Sequence, residues 1–431
     1  MKFIAKLVRK FGNNTFLSLA VRNYRLYFIG QAVSLSGHWM QTVARSWLVL
    51  QVSGSGTAVG GVVAMEFLPI LIFGTMGGVL VDRFPKHKIL LISQAAAGII
   101  ALALGVLVFF EIAELWMIYA FALGHGFVRV IDNPTRQTFI LEMVGKERLA
   151  NAISLYSGEV NLARVVGPAI GGALIATVGI AFCFILNGLS YSVVLFTLFA
   201  MHKNEFHKTP LVERARGQVV AGLRYAASSP VLLNTLILLA VMGMFTYEWN
   251  VSLPMLARFT FGGDAGSYAT LMSSMGVGAV IGGLFSANRR KTSPRALVIA
   301  AAFLGGAMIL TALSPTFFWA VFGMAIVGFF SVNFSSLANV ILQLESAPAM
   351  RGRIMALWTV AFLGTTPIGG PIIGWLGEHA GGRWGLGVGG VAALVAAAIG
   401  ALTLPKEEFE KIPEAVETRS EEASLKIELK E

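Results

Sequence analysis

Hydrophobic residues in this chain gather into long runs separated by short polar stretches. Twelve such runs cover residues 24–50, 59–81, 89–110, 115–133, 153–178 and 180–201, then 231–253, 269–285, 296–313, 317–342, 354–375 and 384–404. Each has at least the roughly 17 residues that a helix needs to cross the hydrocarbon core of a bilayer. The pattern predicts an all-α membrane protein with twelve transmembrane helices. The fourth and fifth runs are the least clean, because they carry charges.

The polar stretches between the runs fix an orientation. Arg83, Lys86 and Lys88 lie on one side with Arg136, Lys146, Arg148, Lys203, Arg214, Arg289, Arg295, Arg351 and Arg353, whereas the opposite side has Arg258 and Arg383. Loops rich in Lys and Arg stay in the cytoplasm, so both termini are expected there. Removing one run would scramble the alternation, which makes the charges a separate check on the number twelve.

The chain also repeats itself. MGGVLVDRFPKHKIL after the second run echoes IGGLFSANRRKTSPRAL after the eighth, which pairs Gly78 with Gly283 at an offset of 205. VGPAIGGAL in the fifth run echoes GGPIIGWL in the eleventh, which pairs Pro168 with Pro371 at an offset of 203. Two matches at nearly one offset predict two pseudo-symmetric six-helix bundles, the parallel-repeat architecture of many secondary transporters. The expected organisation is a cytoplasmic segment over 1–23, a bundle over 24–201, a linker over 202–229, a second bundle over 230–404 and an acidic tail over 405–431. Residues 1–14 read as a basic amphipathic helix on the membrane surface rather than a cleaved signal peptide. Leu211, Ala215, Val219 and Leu223 give the linker a second interfacial helix.

Composition sharpens this picture. The 431 residues are 56% hydrophobic and 13% charged, about half the charged fraction of a soluble domain, so most of the exterior faces lipid. The net charge of +10 is accounted for by the cytoplasmic loops and implies no nucleic-acid partner. Cys183 is the single cysteine, which excludes an intramolecular disulfide and reads as a packing residue. No HExxH, CxxC, GxSxG or Walker A pattern occurs, so no enzyme activity, metal or cofactor is expected.

The stretch from Gly74 to Lys88, GTMGGVLVDRFPKHK, closes the second run. Its small residues let a neighbouring helix approach, and an acid-then-basic turn follows. This resembles the loop between helices 2 and 3 of the major facilitator superfamily, carried here by Gly78, Asp82, Arg83, Lys86 and Lys88. Ser46–Leu50 before Ser53, Asp132–Gln137, Asn151-Ala152 and Asn161–Pro168 narrow the resemblance. Together they are similar to the bacterial efflux branch that includes enterobactin exporters, macrolide efflux proteins and transmembrane secretion effectors. The resemblance implies proton-driven export of a small amphipathic compound such as a drug or siderophore. It also implies a monomer in the bacterial inner membrane, with protons, the substrate and the lipid bilayer as partners.

Ionisable residues inside the runs carry the site expectations. Each costs about 2.5–3.5 kcal/mol at a helix centre, so it persists when paired, wetted or useful. Arg45 and Glu66 lie ten residues before and eleven after Ser55, hence at one depth, about 15 Å below the outer face. They read either as a proton-sensitive switch or as a permanent ion pair. Glu66, Asp132 and Glu159 are the candidate proton carriers. Arg45, Arg164, Gln41, Glu248 and Asn333 are candidate cavity residues. The resemblance implies a conformational latch of Gly78, Asp82, Arg83, Lys86 and Arg136, with a simple loop-anchoring salt bridge as the alternative. Gly167, Pro168, Gly171 and Gly172 read as a close-packed, bendable hinge. Two competing functions stay open: a lysophospholipid flippase or other facilitator without proton coupling, and a membrane receptor that does not transport.

Overall fold

The computed structural model describes residues 16–207, 218–287, 289, 292–348 and 350–403; the side chains of 75–80, 82, 218 and 219 lie outside the described set. The expected surface helix over 1–14, the acidic tail, and Leu211, Ala215 and the Val219 side chain of the linker fall outside it too.

The first bundle opens with a short turn at Leu17–Ala20 and then α1 (Arg22–Ser53). Gly54 ends α1 at φ +65°, the left-handed conformation that a glycine adopts without a Cβ clash. The Ser55 hydroxyl then accepts the Ala58 N–H at 3.2 Å and caps α2 (Gly56–Arg83). Pro85 starts α3 (Lys86–Phe109). α4 runs over Leu115–Thr177 but is broken at Gly145, where φ is 71° and ψ is 178°. The break turns one 63-residue element into two antiparallel membrane arms, 115–144 and 146–177. The His207 N–H bonds the Glu142 carbonyl at 2.8 Å, so the start of the linker rests on this elbow. α5 (Ala181–Phe199) completes six spans.

A turn at Lys203–Glu205 and α6 (Gln218–Ala227) belong to the linker. Leu223 on α6 is exposed, in keeping with an apolar face turned outward. The second bundle begins with α7 (Pro230–Val241), a π-helical turn at Met242–Thr246, α8 (Trp249–Met255) and a second π turn at Leu256–Thr260. α9 (Ala265–Ala287), α10 (Pro294–Ala312) and α11 (Phe317–Glu345) follow. The next span is split into α12 (Arg351–Phe362) and α13 (Thr366–His379), and α14 (Gly382–Thr403) closes the bundle. Two of the expected runs, 231–253 and 354–375, are therefore interrupted rather than continuous. Their apolar character hides the breaks, because hydropathy reports depth in the bilayer and not backbone regularity.

Among the described residues ten helices are long and apolar enough to cross a membrane, with α4 counted once and α1 not among them. α1 falls short because it buries Gln31, Ser34, Gln41, Thr42 and Arg45 against its neighbours. Counting α1 and both arms of α4 gives the twelve spans that the sequence predicts. In the loop before α9, Asp264 accepts the Ser267 N–H at 2.8 Å and its hydroxyl at 3.0 Å. Those bonds hold its carboxyl below the usual range.

Within the first bundle α1 packs on α4 and α5, α2 on α4, and α3 on α5; within the second α11 packs on α9 and α10, and α10 on α14. Two crossings join the bundles, α2 with α13 and the second arm of α4 with α9. Small residues make both possible. A Cβ at Gly60 would run into the Gly370 backbone, and one at Gly374 into Gly56. A Cβ at Gly172 would lie 2.6 Å from the Ala269 side chain. Gly167 and Gly171 serve a different contact, since they face Trp39 and Met40 of α1 inside their own bundle. Of the expected hinge, Gly172 therefore touches the other half, while Pro168 sits buried within the helix.

Candidate functional site

Ser55 caps α2 immediately after α1 ends, so the two helices leave the turn together. Arg45 and Glu66 consequently meet at one depth and form an ion pair. They are 4% and 2% exposed. Two further residues converge on the same carboxylate from α4. Arg129 Nη1 donates to Glu66 Oε1 at 2.9 Å, and His125 Nδ1 lies 3.2 Å from it. The His125 ring stacks on His38 of α1 with centroids 5.7 Å apart, and Arg129 covers the Phe67 ring at 4.7 Å. One carboxylate thus joins three helices. The i, i+4 spacing of His125 and Arg129 puts both on the face of α4 that meets Glu66.

Asp132 occupies a second buried network. It accepts from Ser93 Oγ at 2.8 Å, from Gln94 Nε2 at 2.7 Å and from Arg136, which also donates to Gln31. α1, α3 and α4 are tied together here. Lys86 instead pairs with Glu142 at 2.5 Å, and Arg83 is exposed at the end of α2. Among the described residues of the expected latch, Arg83, Lys86 and Arg136 do not share a partner. Arg136 points into the bundle, Lys86 binds the elbow of α4, and the side chain of Asp82 and residue Gly78 fall among those not described.

The candidate cavity residues divide in the same way. Gln41 accepts from Asn187 within the first bundle. Asn333 donates to the Phe329 carbonyl at 2.8 Å and accepts from Ser286 at 3.1 Å within the second. The bonds of Gln41 with Asn187 and of Asn333 with Ser286 are interhelical, of the kind that hold membrane bundles together, whereas Asn333 to Phe329 stays within α11. Arg164 and Glu248 lie where the bundles meet. The Arg164 guanidinium sits 5.0 Å from the Trp39 ring centroid, and Tyr247 of the other bundle is its neighbour. Its Nε has no hydrogen-bond partner. Glu248 is 2% exposed, and its Oε1 has no partner. Glu159, 7% exposed in the second arm of α4, has neither oxygen bonded. Among the described residues no acid pairs with Arg164 and no base with Glu159 or Glu248.

A contact that the sequence pattern does not reveal closes one end of the junction. Glu378 Oε2 accepts Ser55 Oγ at 2.7 Å, the Thr57 N–H at 2.9 Å and Thr57 Oγ1 at 2.8 Å. A carboxylate of the second bundle thereby caps the first turn of α2 in the first, where the helix dipole favours negative charge. Arg258 reaches the Leu50 carbonyl at 3.3 Å nearby. No sequence signal points here, because the partners stand 321 residues or more apart. No group of three or more His, Cys, Asp or Glu side chains is arranged to hold a metal among the described residues.

The arrangement is suited to moving a solute rather than transforming one: two bundles in contact and unpaired charges at their junction. Comparison with known proteins agrees. The family model described as transmembrane secretion effector matches residues 13–431. The enterobactin exporter EntS of Shigella flexneri is 27% identical over 361 residues, covering 82% of this chain and 85% of that one. EntS of Escherichia coli O81 (strain ED1a) is 27% identical over 356 residues with the same coverage. Among solved structures, an inward-facing, unoccupied bacterial homologue of the human lysosomal transporter Spinster superposes with a TM-score of 0.68 at 17% identity, covering 90% of this chain and 97% of that one. A POT family transporter in complex with 5-aminolevulinic acid gives 0.74 at 11% identity with the same coverage. At these identities the structures speak for the fold.

Proposed function

The chain belongs to the transmembrane secretion effector family, and from that premise we propose that it exports small amphipathic compounds from the cytoplasm by alternating access and proton antiport. It is a multi-pass membrane transporter and not an enzyme. The observation that carries the finer reading is the capped contact between the bundles at the Ser55 end. The bundles meet at the end that holds Ser55, Gly60, Gly370 and Glu378. The basic loops lie at the other end, so the joined end faces outward and both termini lie in the cytoplasm. The conformation is then the one that receives cargo from inside the cell, in a monomer in the bacterial inner membrane.

The junction supports a reading of the substrate class. Arg164 offers a cation stacked on Trp39, with Tyr247 and its aromatic neighbours opposite. An acceptor-bearing amphiphile fits this, and the exporter relatives are named for enterobactin. Of the three proton candidates, Glu66 and Asp132 are each held by arginine, whereas Glu159 is free of partners. We assign the antiported proton to Glu159. The free guanidinium also favours the second reading, a flippase that grips an anionic lipid headgroup through Arg164.

Inverted membrane vesicles separate the two. Accumulation of a siderophore or drug that collapses when the pH gradient is dissipated supports the antiporter, and Glu159→Gln abolishes it. Movement that ignores the gradient but follows the lipid headgroup supports the flippase. Flux of neither kind rejects both.

A further inference from the structure

Glu248 stands where two membrane spans are interrupted at the same level. The π turn at Met242–Thr246 precedes it, and the irregular turn between α12 and α13 lies beside it. A Cβ at Gly243 would lie 2.8 Å from Thr365 Oγ1 and close on the Phe362 carbonyl. The polar neighbour of Glu248 on α13 is the Thr366 hydroxyl, at the first residue of that half-helix. Two residues on, Asn250 Oδ1 is likewise buried without a partner. Discontinuous membrane helices are where secondary transporters hold coupling ions, because unwound backbone and half-helix ends leave polar groups to be satisfied by the ion. Both unpartnered atoms here are acceptors.

Among the described residues no cationic side chain fills this place. Of the elements packed around α8, α1 and α2 carry Arg45 and Glu66, which neutralise each other. Arg258 and Arg383 are spent on the Leu50 and Ala312 carbonyls. On α13, Glu378 binds Ser55 and Thr57, and His379 Nδ1 faces the Trp375 carbonyl at 3.0 Å. α9 offers Tyr268, whose hydroxyl is itself without a partner. Tyr247 donates to the Ser331 carbonyl at 2.6 Å, and Arg164 makes no ion pair with Glu248. A carboxylate charge taken out of water with no counter-charge is strongly disfavoured.

The position ties this site to the junction. A Cβ on Gly370 would lie 3.6 Å from Glu248 Oε2, and the same glycine packs on Gly60 across the bundles. We infer that Glu248 binds a monovalent coupling cation, a proton or a sodium ion, whose uptake lets the outer end close. The inference rests on the transport reading and adds to it a second ion site, distinct from Glu159. Bringing α13 onto α2 buries the carboxylate, so the cation enters before closure.

The test uses the full chain in lipid nanodiscs without any substrate. Cys183→Ser removes the native thiol, and spin labels replace Phe110 and Leu313, both exposed in the connections after α3 and α10. In sodium-free choline buffer at pH 8.5 the distance distribution is expected to include an open population. Sodium at constant pH, or acid without sodium, converts it to the closed distance and tells the two cations apart. Glu248→Gln, neutral by construction, stays closed in every buffer, and Glu147→Gln, at an exposed acid beside the elbow of α4, responds as the unsubstituted protein does. A closed-to-open ratio that changes by roughly tenfold or more is the expected size. If Glu248→Gln does not fold, Glu248→Asp keeps the charge and shifts the midpoint of the response. An unsubstituted protein that ignores both cations, or a Glu248→Gln or Glu248→Asp protein that titrates unchanged, overturns the inference. Failure of export in vesicles leaves this distance measurement standing, so the two ideas fail separately.

Discussion

Replacing Glu66 with glutamine should cost this protein stability before it costs anything else. The carboxylate receives Arg45, Arg129 and His125 in a setting where the side chains of Arg45 and Glu66 are 5% and 3% exposed and that of Arg129 is 21% exposed. Glu66→Gln preserves the shape but leaves two guanidinium charges without an anion. Breaking a buried pair by removing one partner costs about 3–5 kcal/mol. The half-wet Arg129 and the retained amide oxygen place this substitution near ~3 kcal/mol. At about 2 °C per kcal/mol for a large domain, the expected fall in Tm is ~5 °C or more. Thermal unfolding of detergent-purified protein, followed by size-exclusion chromatography of a fluorescent fusion, measures it. Adding Arg129→Gln removes one of the stranded charges and should restore part of the loss, with a coupling energy of at least ~1 kcal/mol. A Glu66→Gln protein that melts within a degree of the original, yet loses the pH dependence of its transport, would falsify the structural reading. Glu66 would then be the proton carrier, and the pair must open during the cycle.

Three further predictions address the junction. Glu378→Ala removes three charge-assisted bonds from the outer end; allowing for its exposure to water, the expected loss is ~1–2 kcal/mol, or about tenfold in the closed-to-open ratio. Cysteine accessibility to a membrane-impermeant maleimide at Val52, exposed near the end of α1, should rise accordingly, and unchanged labelling would remove Glu378 from the gate. Gly60→Val places a side chain where the Gly370 backbone now lies, so the protein should insert and bind cargo but fail to close; normal turnover would mean that the crossing is looser than described. Arg164→Gln should raise the apparent KM for an anionic probe at least tenfold and leave a cationic probe such as ethidium unaffected. Equal loss for both would point to a packing role over Trp39 instead.

How much of this is legible in the sequence depends on the range of the interaction. Arg45 and Glu66 are found from spacing because a single tight turn at Gly54 sets their relative depth, which is local geometry. The Gly167 and Gly172 positions are visible as a small-residue pattern, but not which neighbour each meets. Lys86 and Arg136 look like members of one loop cluster because they share a charge sign and a membrane face. Their helices rotate them apart, toward Glu142 and Asp132. Glu378 leaves no trace, since its partners on α2 belong to the other repeat.

Hydrophobic run length, taken along the chain, determined the membrane-spanning helices, because the bilayer is a solvent that every span meets independently of the others; loop charge and the internal echoes add the expectation of an orientation and of two repeats. The tertiary structure alone decided which charges are neutralised and which stand unpaired. That selection depends on helix rotation and on where glycines let backbones touch, and both are set by packing between segments hundreds of residues apart. Glu66 and Glu248 are each a single acid in an apolar run of the sequence. The fold gives one two arginines and leaves the other, among the described residues, without a counter-charge at the junction of the bundles.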